Sequence, residues 1–372
     1  MKLEYKNKKK KKDILALKND MDFRGDVSIL KLKNLTRIIF EGDNFKIMKT
    51  LIDKYNLAGS LDLVYIDPPF STNVIFRVSD DRVSTMSSSK GDRIAYTDNL
   101  KGAEFLEFLR ERLILIRELM SDKASIYLHI DYKVGHYVKI IMDEVFGAEN
   151  FRNDITRIKC NPKNFKRNGY GNIKDLILFY TKSDQFTWNE PMESRQDEEL
   201  LRLFNKIDNN GRRYTTNPLH APGETVSGKS GQEWKGIKPP KGRHWRYSPE
   251  ILSELEASGL ISWSKNGVPR KIIYSDDYQK KRIQDIWEFK DKPNPIYPTE
   301  KNLDLLERII TTSSKKGDLV MDCFCGSGGF LHVAEKLDRR WIGIDASNEA
   351  IKIMTTRFSK ENKPFNILRL AK

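Results

Sequence analysis

Long apolar runs are missing from this sequence. No stretch approaches the roughly 20 residues a helix needs to cross a bilayer, so no transmembrane helix is expected. No continuous apolar segment follows the basic N-terminal residues, which argues against a secretory signal. Cysteine is scarce. Cys160, Cys323 and Cys325 are the only three in 372 residues, an odd count that excludes a disulfide framework and suits a reducing cytoplasm. Cys323 and Cys325 have no second Cys or His pair at ligand spacing, so no metal site is expected. They read as core or cofactor-lining residues. Internal repeats are absent as well.

Positive charge is what the sequence has in excess. Lys and Arg number 66 against 52 Asp and Glu, a net +14 that draws polyanions at long range and makes nucleic acid the default partner. A merely solubilising charge is the alternative. Apolar residues, at 38%, suffice for an ordinary core. The block KNKKKKK over 6–12 carries one sign of charge. Such blocks are usually disordered, here either a solvated end or a tail that grazes DNA. These features together predict a cytoplasmic, nucleoid-associated protein.

Strands and helices alternate from Arg37 onward. RIIFEGD reads as a strand and NFKIMKTLIDKY as a helix. LDLVYI, over 61–66, is the continuous apolar run of a strand buried on both faces. Residues 77–99 are polar and Ser-rich and read as a mobile loop. Helix 104–121, strand 125–131, helix 135–147 and strand 175–183 follow, and the alternation predicts an α/β parallel sheet. Residues 184–285 differ. They are rich in Gly, Pro, Arg, Lys and Trp without a period, which predicts a separate basic module inserted into the sheet domain. Regular α/β pattern returns at 297–314 and continues through DLVMDCF, CGSGG, FLHVAEKLDR and RWIGIDAS.

Two motifs carry chemistry. In DCFCGSGG a strand runs through a glycine turn into a helix whose N-terminus offers free N–H groups. Asp345, at the end of the next apolar strand, stands where an acid takes both hydroxyls of a ribose. The turn lacks the third glycine of a dinucleotide fingerprint, where Leu331 stands, and the Gly-Lys-Ser/Thr of a phosphate loop. A nucleoside cofactor without pyrophosphate, such as S-adenosylmethionine (SAM), needs only the turn and the acid. The second motif is Asp67-Pro68-Pro69-Phe70, which ends the buried strand. An exocyclic amine of a base is a poor nucleophile because its lone pair is delocalised. Acceptors for its two N–H protons localise the pair. Asp67 and the Pro68 carbonyl can serve, the prolines hold the backbone, and Phe70 can stack on an extruded base. An ordinary strand end at a proline turn is the competing reading. His129 and Asp131 end a neighbouring strand at the same sheet edge, either shaping the pocket or making ordinary hydrogen bonds.

DPPF with FCGSG resembles the amino-group DNA methyltransferases, which modify adenine N6 or cytosine N4. The order of motifs resembles the β-class, which includes type II and type III restriction–modification enzymes. DPPF comes first, the irregular module second, and YPTEKN with DCFCGSG last. The resemblance spans 37–358 and implies a SAM-dependent methyltransferase Rossmann-like α/β sheet, circularly permuted, with an inserted target-recognition module. The parts implied are a basic tail and lead-in (1–36), a catalytic half (37–183), a target-recognition module (184–285) and a SAM-binding half (286–372).

The resemblance also places residues. It puts Asp67, Pro68, Pro69 and Phe70 in the catalytic set. Asp43 falls near the cofactor adenine, Thr299 and Lys301 near its methionine end, and Asp345 at the ribose. Asp322, Phe324, Gly326 and Gly328 complete the cofactor set. GRHWRYSPE is similar to a stretch of target-recognition regions, implying DNA contacts by Arg243, His244, Trp245 and Arg246. Asn302 stands where proline is usual, and Gly329-Phe330 replaces a common small hydroxyl pair.

Aspartate with phenylalanine in DPPF is similar to the adenine-N6 enzymes. Cytosine-N4 enzymes more often carry serine there, and cytosine stays as an alternative. The implied reaction is direct transfer from SAM to a flipped base in double-stranded DNA, without metal or covalent intermediate. A cognate restriction endonuclease is an implied partner and a homodimer an implied state. Three further readings stay open: an RNA methyltransferase, a modification subunit of a larger complex, and a non-catalytic DNA-binding protein with a decayed fold.

Overall fold

A computed structural model describes residues 2–31, 35–69, 75–78, 83–84, 93–97, 102–162, 166, 168–225, 227–291, 300–361 and 363–371. The chain forms two compact units, Met1–Pro191 with Gln284–Lys372, and Met192–Ile283.

The larger unit is built on ten strands: β1 (Asp22–Arg24), β2 (Ile38–Glu41), β3 (Leu61–Ile66), β4 (Met120–Ile130), β5 (Phe151–Ile158), β6 (Lys174–Thr181), β7 (Ile286–Glu288), β8 (Leu319–Asp322), β9 (Arg340–Asp345) and β10 (Asn366–Ala371). Their order across the sheet is β1-β10-β2-β9-β8-β3-β4-β6-β5-β7. The unit's longer helices among the described residues are α1 (Asn44–Asp53), α2 (Gly102–Leu119), α3 (Tyr132–Phe146), α4 (Leu303–Ser313), α5 (Gly329–Lys336) and α6 (Asn348–Lys360). All six residues of LDLVYI are buried, as a strand covered on both faces requires. Val64 and Ile66 share one apolar cluster with α1, α2 and α3. Tyr65 faces the other way and stacks on Phe330 of α5. Side chains of a strand alternate between faces, so Asp67, the next residue in that register, emerges on the α5 side.

Three expectations change. The sheet is mixed, because β6 runs antiparallel to both β4 and β5. The basic block is no loose end. Lys8 is largely buried and bonds Glu144 at 2.7 Å, the Tyr5 hydroxyl donates to Glu107 at 2.6 Å, and Lys11–Ala16 is helical. The acids of α2 and α3 gather these lysines, and β1 from the same lead-in pairs with β10. The segment read as a loop over 77–99 contains short strands, with Ile75–Val78 pairing Val83–Ser84 and Arg93–Thr97. Its remaining residues lie outside the described residues.

The smaller unit is made of short pieces, which explains why its sequence shows no period. Strands Lys206–Ile207, Arg213–Pro218, Pro269–Tyr274 and Ile261–Trp263 form one antiparallel sheet in that spatial order. Beside it lie the hairpin His220–Pro222 with Arg243–Trp245 and the helix Pro249–Ala257. Leu219, Trp234, Trp245 and Leu252 make its core.

Candidate active site

A cavity of about 300 Å³ opens in the larger unit, of the size that small-molecule sites use. Its lining brings together Asp43, Asp67, Pro69, Lys301, Asp322, Phe324, Gly326 and Asp345, eight of the predicted catalytic and cofactor residues. Pro68 is buried next to them. Phe70 and Thr299 lie outside the described residues. Gly328 is not on the wall. It caps α5 with φ +74°, where the turn requires the left-handed region. A Cβ there would also stand 2.8 Å from Met354 Cγ. Gly328→Ala should therefore cost about 1–2 kcal/mol in a denaturant melt, the scale of forcing an L-residue left-handed.

The glycine turn is locked to β9. Gly326 and Ser347 each donate a backbone N–H to the Asp345 carboxylate at 2.8 Å. Each oxygen keeps a further lone pair for a ligand hydroxyl. Burial raises the Asp345 carboxyl above its usual value, against these N–H donors. Asp322 is held well above its ordinary range, by burial first and then by the nearby Asp67 and Asp345 charges. Burial likewise pushes up the Cys323 and Cys325 thiols, so both line the wall as unreactive groups.

Asp43 caps α1 by accepting from the Lys46 N–H at 3.0 Å, and it pairs with Arg112 at 3.0 Å. Arg112 is a wall residue the sequence reading missed. It lies across the Phe108 ring, 3.5 Å from the centroid, and donates to Asn44, which in turn donates to the Cys323 carbonyl. Its signal was present as an arginine on the buried side of an apolar helix. Glu300, also missed, lines the wall and accepts from Arg357 at 2.8 Å.

Lys301 lines the cavity, and its ammonium pairs with Asp67 Oδ2 at 2.5 Å. Asp67 Oδ1 is buried and finds no hydrogen-bond partner among the described residues. The carboxylate is thus gripped on one oxygen and left without a partner on the other among the described residues. Asp131 turns out to be a helix cap, accepting from the Lys133 N–H at 2.9 Å.

The charges on the wall decide between ligand classes. Asp43, Asp67, Glu300, Asp322 and Asp345 stand with Arg112 and Lys301 among its lining residues, while Arg357 pairs Glu300 from behind and burial holds Asp322 toward its neutral form. Such a wall repels the pyrophosphate of a dinucleotide and suits a cofactor carrying a sulfonium and an ammonium. Glycine turn, ribose acid and acidic wall all fit SAM.

In the smaller unit Arg243 and Arg246 are exposed and His244 is half-buried. Trp245 corrects the sequence reading. Its ring is 1% exposed, and its indole N–H donates to the Gln232 carbonyl at 3.0 Å. It packs the core of the unit and has no free face for a base, because alternation along the strand turns it inward.

This sheet, with a glycine turn beside the Asp345 carboxylate and an Asp-Pro-Pro strand end, has the make-up of a nucleoside-cofactor methyltransferase. The DNA methylase profile of N6/N4 enzymes matches residues 61–356, and the chain belongs to that family. The type II methyltransferase M.EcaI of Enterobacter cloacae is 40% identical over 95% of this chain and 75% of its own length. The StyLTI Mod subunit of a Salmonella typhimurium type III enzyme is 27% identical over 82% of this chain and 51% of its own. M.KpnI of Klebsiella pneumoniae, type II, is 25% identical over 87% and 83%. The protein is a SAM-dependent DNA methyltransferase of the restriction–modification kind.

Proposed function

We propose that the chain methylates adenine N6 of a base flipped out of duplex DNA. The observation that carries this reading is the Asp67 carboxylate of the cavity wall, held by Lys301 on Oδ2 and without a hydrogen-bond partner on Oδ1 among the described residues. SAM supplies an electrophilic methyl group there. Oδ1 would accept a hydrogen bond from the amino group and aim its lone pair, and would take the amino proton as the N–C bond forms and the sulfonium C–S bond breaks to leave a neutral thioether. Lys301 keeps the carboxylate from rotating. The Pro68 carbonyl is the second acceptor and Phe70 the stacking ring. Thr299 belongs to the cofactor's methionine end, and Asp345 holds the ribose.

Residues 184–285 are the target-recognition module, and the domain order is that of a β-class permutation. Arg243 and Arg246 supply phosphate contacts. They gather with Arg270 around His220, whose pKa is lowered by burial and then by these three charges. No carboxylate pairs with Arg243 or Arg246 among the described contacts, so an incoming phosphate would meet unneutralised charge. His244 lies beside them. A cognate restriction endonuclease is the partner that relatives of this kind suggest, and a homodimer rests on the family resemblance.

Nucleoside mass spectrometry tests the base. The protein, SAM and diverse duplex DNA should yield N6-methyladenine. N4-methylcytosine instead would overturn the base assignment and keep the mechanism. Methylated RNA with unmethylated DNA in a parallel arm would overturn the substrate.

A further inference from the structure

A buried polar chain runs beneath the cavity, through four neighbouring strands. Tyr65 on β3 bonds His129 Nδ1 on β4 at 3.1 Å. His129 Nε2 meets Asp175 Oδ2 on β6 at 3.3 Å. Lys159, just past β5, bonds Asp175 Oδ1 at 2.6 Å, and Arg157 of β5 reaches Oδ2 at 3.4 Å. Tyr65, His129, Asp175 and Arg157 are all nearly inaccessible. Placing so many ionisable groups in a core is costly unless each is satisfied, and deletion of one leaves the others stranded. A plain apolar core would have served the fold at lower risk.

The bonding defines the proton positions. Asp175 takes the N–H of Nε2, so Nδ1 is the acceptor and the Tyr65 hydroxyl donates to it. Burial would raise the Asp175 carboxyl, but His129 and Lys159 outweigh that and keep it ionised. His129 stays neutral, by burial first and the Lys301 charge second, against the pull of Asp175 and Asp67.

The chain ends at both members of the catalytic pair. Tyr65 stands two residues before Asp67, on the same side of β3, with its ring on the cavity wall and stacked on Phe330. At the other end Arg157 donates to the Phe289 carbonyl at 2.8 Å and to Asp291, and the Asp291 N–H donates to the Lys159 carbonyl at 2.8 Å. Asn302 donates to the Lys290 carbonyl at 3.2 Å while its side-chain oxygen caps α4. Asn302 is the neighbour of Lys301, and it occupies the position where the family resemblance expects proline. Proline could make neither bond.

We infer that Tyr65, His129, Asp175, Arg157 and Asn302 form one positioning network that holds Asp67 and Lys301 in register with each other. The inference rests on the reading of Asp67 as the acceptor. Misplacing a reacting group by a fraction of an ångström lowers turnover with little effect on ground-state binding.

Two single-atom changes test it. Tyr65→Phe removes the hydroxyl and leaves the ring. Asn302→Asp keeps the capping oxygen and removes the donor to Lys290. Each should lower single-turnover methylation about ten-fold or more, with KM for SAM and for DNA within about two-fold. Calorimetric SAM binding on the same preparations confirms that the cavity is folded. Rates within about two-fold of the unmutated protein, beside an inactive Asp67→Ala control, would overturn the network and leave Asp67 in place. A rise in KM with kcat unchanged would overturn it too, since that marks a binding role. An active Asp67→Ala control would remove the reading on which the network rests.

Discussion

Asp67→Asn should cut the rate of methyl transfer at least about a hundred-fold, the scale of removing one preorganised electrostatic contact in an active site. The argument is geometric. Lys301 holds Oδ2, and Oδ1 is buried without a hydrogen-bond partner among the described residues. Asparagine keeps the shape but must place its NH₂ on one side. Toward Lys301 it sets donor against ammonium and loses the grip. Toward the substrate it sets donor against the amino group that needs an acceptor. Neither orientation serves both partners. SAM affinity should change little, because the proposed partner of Asp67 is the reacting amine and not the ribose. Single-turnover methylation and calorimetry on one preparation separate the two effects. Full activity in Asp67→Asn would mean that another group accepts the amino proton.

Asp345→Ala should act on the opposite quantity. SAM affinity should fall about a hundred-fold or more, since hydrogen bonds to a charged group contribute about 1.5–3 kcal/mol each and two ribose hydroxyls lose their acceptor. The same change frees the Gly326 and Ser347 N–H groups and loosens the glycine turn. Binding of duplex DNA without cofactor should persist. The carboxyl is raised above its usual value by burial. Protonation removes an acceptor, so SAM affinity in the unmutated protein should start to fall, on acidification, above the pH at which an ordinary aspartate titrates. Affinity within a few-fold of normal in Asp345→Ala would move the ribose elsewhere in the cavity.

Much of the site was legible because its signals are local. A strand buried on both faces must be apolar throughout, so LDLVYI announces itself, and the acid after it stands at a strand end by necessity. The glycine turn and Asp345 belong to consecutive strand–turn–helix units, where spacing along the chain is nearly spacing in the fold. The smaller unit was harder. Its strands of two to six residues are too short to establish a period. Trp245 therefore read as a surface aromatic, although it is the centre of a small core.

Charge at a distance was not legible at all. The lysines of 6–12 look like a free polycation until α2 and α3 place Glu107, Glu111, Glu118 and Glu144 against their neighbourhood. Arg112 shows in the sequence only as an arginine on the buried side of an apolar helix; its partners Asp43 and Asn44, at the start of α1, appear only in the fold.

The sequence by itself determined the class of chemistry: an amine acceptor at a strand end, a nucleoside cofactor at a glycine turn, and a polyanion as partner. The first two follow from residue types within a few positions of each other, and the third from the net +14 of the whole chain. Only the tertiary structure decided that Lys301 grips Asp67, that the wall is acidic, and that Tyr65, His129, Asp175 and Arg157 lie in one line beneath it. Each of those joins residues from separate strands. A hydrogen bond or ion pair acts over a few ångströms of space, and the order of strands in the sheet, which residue spacing does not encode, is what brings the partners within that distance.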